Sequence, residues 1–317
     1  MSKPVCVIWM KDWRTYEKHL ESAGIADRFE MHGYGLEDTV PDDIAERGEA
    51  LMAYRPGTLL KRMPRLRWIQ AMNAGVDPWL NSPDLRADVT LCCARGSHRI
   101  PMPENILGAL FHITKPYMQS ALDQRESRWN KRMSMPLAGK TLGILGLGAI
   151  GQEVARKAKA LEMRIIGTKR NPTPLPNVDQ VYGPDATDEV MRQSDFLVLL
   201  IPSTKETQNI INTDRLKQMK PTAWLINFGR GALIVDDDLI AAVKTKTIAG
   251  AILDVFRQEP LPETHPFWQT DGILVLPHIG GGHPQRNDAV AEIFADNARR
   301  FLEGSPLNCV VDRNLGY

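Results

Sequence analysis

Short runs that are apolar at nearly every position alternate along this chain with longer stretches whose apolar residues recur at helical spacing. The runs are VCVIW, ALMAY, RWIQAM, VTLCC, TLGILG, MRIIG, FLVLLI, AWLINF, AGAILDVF and GILVLP. A strand that is apolar throughout is covered on both faces, and crossovers long enough for a helix join such strands in parallel. The expected fold class is therefore α/β, built from parallel sheets with helices on each side. A chain of 317 residues suits two lobes, Rossmann-like or flavodoxin-like, because single cores seldom grow past roughly 250 residues.

Two clusters of proline and glycine mark the expected borders. In IPMPEN, residues 100–105, Pro101 and Pro103 end a strand-like run and Glu104 opens a helix. GGGHP, residues 280–284, precedes a stretch over 289–302 with the spacing of a closing amphipathic helix. This predicts a first lobe of residues 1–101 completed by 284–317, and a second lobe of residues 102–283.

Charge and cysteine usage narrow the class. With 39 basic against 38 acidic side chains there is no excess charge to recruit nucleic acid, and no apolar run approaches the length of a membrane span. VCVIW is too short for the core of a signal peptide. Cys6, Cys92, Cys93 and Cys309 have neither metal-ligand spacing nor a pairing framework, so no metal is expected and a reducing, cytoplasmic setting fits.

The most specific local signal is TLGILGLGAIGQEVARKAKAL, which puts Gly146, Gly148 and Gly151 in G-x-G-x-x-G spacing between a strand and a helix. In that setting the first glycine permits the tight turn, the second lets a pyrophosphate approach the backbone, and the third lets helix and sheet pack closely. The amides of Ala149 and Ile150 then face phosphate oxygens at the helix N-terminus. An acidic residue about 20 positions on would bind a ribose 2′-hydroxyl. Thr168, Lys169 and Arg170 stand there instead. Two cations beside a hydroxyl suit a 2′-phosphate, so NADP(H) is favoured over NAD(H); as plain solvated loop charges they would leave both cofactors open.

A dinucleotide fold names no reaction. Polar residues at the carboxyl ends of successive apolar runs do more: Arg230 after AWLINF, Asp254 and Glu259 after AGAILDVF, and His278 after GILVLP. Singly, each is as well explained as a turn or loop residue. Together they offer a cation for a carboxylate, an acid for a carbonyl oxygen, and a carboxylate to tune that acid, the parts needed to reduce a 2-oxo acid.

Over nearly its full length the chain resembles the D-isomer-specific 2-hydroxyacid dehydrogenase family, which includes glyoxylate and hydroxypyruvate reductases. The resemblance runs in order through NAGVD from Asn73, RGSHRIPMPENILGAL from Arg95, PLAGKTLGILGLGAIG from Pro136, NFGRGALIVDDDLI from Asn227, GAILDVFRQEPLP from Gly250 and LPHIGGG from Leu276. It implies an active site in the cleft between the lobes. Arg230 would hold the substrate carboxylate and polarise the 2-oxo group, His278 would give a proton to the carbonyl oxygen, and Glu259 would orient the imidazole and favour its charged form.

The same resemblance implies that Asp254 holds the nicotinamide carboxamide. Ile201, Pro202 and Thr207 would line the adenosine side, with Met102, Phe228, Gly229 and Gly280 also on the cofactor. On the substrate side it implies the amides of Ala74 and Gly75, with Tyr54 either a substrate contact or a strand-end aromatic. Arg55 could favour a second anionic group, and His98 lies in a segment facing the cofactor. A homodimer is implied as well. Asn105 replaces a histidine common in relatives and would bear on assembly, while the third glycine and His283 depart from the usual pattern after His278. Corepressor relatives that bind dinucleotide as redox-sensing interaction modules are the rival reading. Asp236 to Asp238 read only as acids complementing a helix N-terminus.

Overall fold

In a computed structural model of the chain, which describes residues 3–316, the described residues form twelve strands in two sheets, and every pairing of named strands is parallel. They divide into two compact units: one takes the chain up to Ser97 and again from His283 onward, and the other is His98–Gly282.

The first unit holds β1 (Val5–Trp9), β2 (Glu30–Tyr34), β3 (Gly48–Ala53), β4 (Trp68–Ala71) and β5 (Thr90–Cys92), in the order β2-β1-β3-β4-β5. Both sheet faces are buried, as all-apolar strands require. Val5, Val7, Leu51 and Ile69 join one core, while Cys6, Ile8, Met52 and Trp68 join another with Phe294. Phe294 lies on the helix Arg286–Glu303, and its ring stacks on Trp68 with centroids 5.5 Å apart. The last long helix thus covers the sheet made by the first strands.

The second unit holds β6 (Thr141–Leu145), β7 (Arg164–Thr168), β8 (Gln180–Tyr182), β9 (Phe196–Leu199), β10 (Trp224–Asn227), β11 (Gly250–Leu253) and β12 (Ile273–Val275), in the order β12-β11-β10-β9-β6-β7-β8. The strand order reverses between β6 and β9. In an open parallel sheet, the crevice beyond the carboxyl ends at such a reversal is where ligands bind.

Two strands, β2 and β8, escape the apolar-run pattern. Both are sheet edges with partly exposed residues, and β2 carries Glu30, whose carboxylate takes Arg47 through two bonds of 2.7 Å. An edge blunted with charge has no reason to read as a continuous apolar run. Two helix starts also differ from expectation. The helix after Ser97 is Pro101–Thr114, so its prolines lie inside the first turn, where their missing N–H costs nothing. The closing helix begins at Arg286 rather than 289. Among the described residues no helix is long and apolar enough to cross a membrane, and no group of three or more His, Cys, Asp or Glu could hold a metal ion.

Candidate active site

The loop after β6 has the form its glycines predict. Gly146 has φ +109°, a region L side chains rarely adopt, and a Cβ there would come 2.8 Å from the Leu200 carbonyl. A Cβ on Gly151 would overlap the Gly146 carbonyl oxygen. At Gly148, the N-cap of the helix Ala149–Lys159, a Cβ would meet no protein atom within 4 Å. The second glycine therefore opens onto free space above the first-turn amides, which fits a pyrophosphate lying against the backbone. Thr168 is buried at the end of β7, Lys169 is partly exposed with its amide bonded to the Tyr182 carbonyl, and Arg170 is exposed. On the other side of the reversal, the Thr207 hydroxyl donates to the Pro202 carbonyl at 2.7 Å and accepts the Thr204 amide at 2.7 Å, closing the loop that Ile201 opens.

Arg230 follows β10 by three residues, and Asn227 makes its turn. This fully buried side chain accepts the Gly229 amide at 3.0 Å and donates to the Arg230 carbonyl at 2.9 Å. The Arg230 Nη1 in turn donates to the Gly229 carbonyl at 2.7 Å. A Cβ on Gly231 would overlap the Phe256 carbonyl, so only glycine lets this turn pass the chain leaving β11. Phe228 lies in the core, with its amide on the Leu199 carbonyl. The acids that follow are structural: Asp238 accepts the Thr213 amide at 2.7 Å, and Asp236 faces Arg257 and His265.

Glu259 and His278 form the chemically pointed pair. Glu259 Oε1 accepts the Phe256 amide at 2.8 Å, and His278 Nδ1 donates to Oε2 at 2.6 Å. A carboxylate can only accept, so Nδ1 carries the hydrogen and Nε2 is the ring nitrogen left to exchange a proton. The His278 side chain is 57% exposed, and its backbone holds φ +50°, a left-handed conformation that costs energy for a non-glycine residue and clusters at functional sites.

The surroundings hold that turn. Asp254, 1% exposed, accepts the Ile279 amide at 2.7 Å and the Gly280 amide at 2.9 Å. Burial pushes its carboxyl above the ordinary range, while the amides of Gly280 and Ile279 pull it back. Asn105 donates to the Gly280 carbonyl at 3.1 Å and so braces the turn after His278. Its helix is tied to Ala149–Lys159 by Glu104 and Lys157, 2.9 Å apart, and Met102 packs on the core in its first turn.

Arg230, Glu259 and His278 thus lie at the carboxyl ends of the adjacent strands β10, β11 and β12. Sequence reasoning missed Asn227 and the bond from Asn105 to the Gly280 carbonyl. The signal for Asn227 was an amide side chain within hydrogen-bonding reach of its own turn; nothing local marks the bond of Asn105. In the first unit, Tyr54 directly follows β3 with 41% exposure, and Arg55 beside it is exposed. Ala74 is exposed and Gly75 partly so, in the loop after β4.

Comparison with known proteins agrees with this architecture. Residues 107–280 match the model of the D-isomer specific 2-hydroxyacid dehydrogenase NAD binding domain. The glyoxylate/hydroxypyruvate reductase A of Photorhabdus laumondii is 31% identical over 268 residues, 83% of this chain and 85% of that one. A D-isomer specific 2-hydroxyacid dehydrogenase family protein from Aeromonas salmonicida, solved by crystallography, superposes with a TM-score of 0.89 at 31% identity, over 98% of this chain and all of that one. The NADPH-dependent glyoxylate/hydroxypyruvate reductase of Sinorhizobium meliloti, solved with NADP and sulfate, gives 0.83 at 26% identity over the whole of both chains. The chain belongs to the D-isomer-specific 2-hydroxyacid dehydrogenase family.

Proposed function

We propose that this chain reduces a small 2-oxo acid, such as glyoxylate, hydroxypyruvate or a larger relative, to the 2-hydroxy acid, with NADP(H) favoured over NAD(H). The observation that carries the reading is the carboxylate of Glu259, which takes the Phe256 amide with one oxygen and His278 Nδ1 with the other. That arrangement fixes the imidazole and leaves Nε2 as the ring nitrogen that can take up and give a proton.

Arg230 is the residue proposed to hold the substrate carboxylate and polarise the 2-oxo group, since a planar guanidinium matches a carboxylate in two bonds. His278 Nε2 gives its proton to the carbonyl oxygen, and Glu259 stabilises the charged ring until it does. The loop of Gly146, Gly148 and Gly151 would hold a reduced nicotinamide dinucleotide, whose chemistry would be hydride donation. Residues 102–283 are proposed as the dinucleotide-binding domain, with the amides of Ala149 and Ile150 on the pyrophosphate and Thr168, Lys169 and Arg170 around the 2′-phosphate. Ile201, Pro202, Thr207 and Met102, with the backbone of Phe228, Gly229 and Gly280, complete its lining. Asp254 serves by holding Ile279 and Gly280 and by offering an acceptor to the carboxamide.

Residues 1–101 with 284–317 are proposed as the substrate-binding domain, with the amides of Ala74 and Gly75 receiving the carboxylate and Tyr54 meeting the substrate side chain. The preference for NADP(H) is supported by the two cations after β7 and by the NADP held in the Sinorhizobium reductase. A homodimer is proposed as well. Trp129 is 98% exposed, and Tyr117, Met118, Leu122 and Met133 in the same segment are also exposed, an apolar surface of the kind subunits cover.

The deciding experiment is a panel of 2-oxo acids assayed with NADPH and with NADH. Turnover of at least one acid, faster with NADPH, is expected. Tight NADPH binding with no turnover of any 2-oxo acid would overturn the enzyme reading in favour of a dinucleotide-binding interaction module.

A further inference from the structure

A cation in the first turn of a helix sits at the unfavourable end of the helix dipole, yet Arg286 opens the 18-residue helix Arg286–Glu303. Such a breach of a local rule calls for compensation from elsewhere. Arg286 Nη2 donates to the Met72 carbonyl at 3.0 Å and to Asn73 Oδ1 at 2.7 Å, and its guanidinium carbon lies 5.2 Å from the centroid of the Tyr54 ring. Tyr54 follows β3 and Asn73 follows β4, so one side chain reaches two neighbouring strand ends of the same sheet.

The loop it grips is lightly held otherwise. The Met72 amide reaches the Ala53 carbonyl at 3.3 Å, and the Asn73 carbonyl takes the Ala94 amide at 3.0 Å. Among the described residues no backbone carbonyl accepts the amide hydrogen of Ala74 or Gly75. Two adjacent amides outside the backbone ladder make an anion-receiving element only if the loop keeps its shape, and its shape hangs on Asn73.

We propose that Arg286 is a positioning residue for substrate binding, which presets the amides of Ala74 and Gly75 and the ring of Tyr54 with a single guanidinium. The inference rests on the reading that these amides receive the carboxylate of a 2-oxo acid. Arg286 touches no substrate atom in this scheme; it acts by making the receiving loop rigid before substrate arrives. A lysine would keep the charge but lose the plane that lies over Tyr54 while donating to Met72 and Asn73.

The test uses Arg286→Met and Arg286→Lys in the full chain, with steady-state kinetics on the best 2-oxo acid, NADPH binding by fluorescence titration, and amide hydrogen exchange. Arg286→Met should raise KM for the 2-oxo acid roughly tenfold, the order lost with one charge-assisted anchor, while kcat changes by less than about twofold. NADPH affinity should not move, and Arg286→Lys should recover part of the loss. Exchange should quicken in the peptide spanning residues 72–76 while β4 keeps its protection. An unchanged KM overturns the proposal. So does a joint fall of kcat and NADPH affinity, the mark of general misfolding; Arg286→Lys carries the test if Arg286→Met does not fold. Exchange unchanged at residues 72–76 overturns it whatever the activity. Quickened exchange in a chain that turns over no 2-oxo acid supports the positioning role and overturns the substrate reading alone.

Discussion

The turn that carries Arg230 and the loop that carries Ala74 and Gly75 both follow buried parallel strands, yet they are held in opposite ways. Arg230 is braced by Asn227, three residues before it, and Glu259 is anchored on the amide of Phe256, also three residues away. The loop after β4 is gripped by Arg286, 213 positions further along the chain from Asn73. In one region a short motif contains both the functional group and its support. In the other, the support comes from a helix that closes the sheet only after the whole second unit has been threaded.

The largest effect should fall on the locally braced cluster. His278→Ala is expected to lower kcat/KM for 2-oxo acid reduction by roughly 10²–10⁴-fold while NADPH still binds, the range for loss of a general acid. A loss below tenfold in steady-state assays would show that the cluster is not the chemical centre and would dissolve the contrast. Replacing Lys169 and Arg170 together with alanine should weaken NADPH by roughly ten- to a hundredfold through lost charge-assisted bonds, and NADH far less, as read by titration with each cofactor. Equal losses would show that these cations do not read the 2′-phosphate.

Asn227→Ala sharpens the comparison through stability. It strips partners from the buried Gly229 amide and the partly buried Arg230 carbonyl, a cost of about 1–3 kcal/mol in denaturant unfolding. Arg286→Met should cost less stability, since both its hydrogen bonds are only partly buried; the reverse order would mean that the first unit depends on Arg286 for folding itself. The smallest effect is expected of Glu259→Gln. A glutamine offers one acceptor oxygen where the carboxylate offers two, so the Phe256 amide and His278 Nδ1 can no longer both be served, and kcat should fall by roughly two- to tenfold, the range for one lost hydrogen bond. An unchanged kcat in steady-state assays would remove Glu259 from the orienting role and leave it only the anchoring seen at Phe256.

Much of the architecture was legible because its causes are local. Strands buried on both faces show as apolar runs, and ten of them mark the sheets, whereas β2 and β8, half exposed at the edges, leave no such trace. The candidate site was legible to the same degree: Arg230, Glu259 and His278 follow apolar runs in order, and parallel strands bring their carboxyl ends to one edge. The bond made by Asn105 was not legible, because its partner, the Gly280 carbonyl, lies 175 residues away and no spacing rule reaches that far.

By itself, then, the chain's pattern determined the parallel α/β class, the glycine loop after β6 and the order of polar residues at successive strand ends. These follow from side-chain periodicity and from sterics within a few residues, which act wherever the segment ends up. Only the tertiary structure decided that Glu259 serves two donors at once, that Asp254 and Asn105 hold the turn after His278, and that Arg286 reaches the loop of Ala74 and Gly75. Those are hydrogen bonds, with a reach of about 3 Å and a required direction, so they exist only once strand order and helix packing have brought distant segments together.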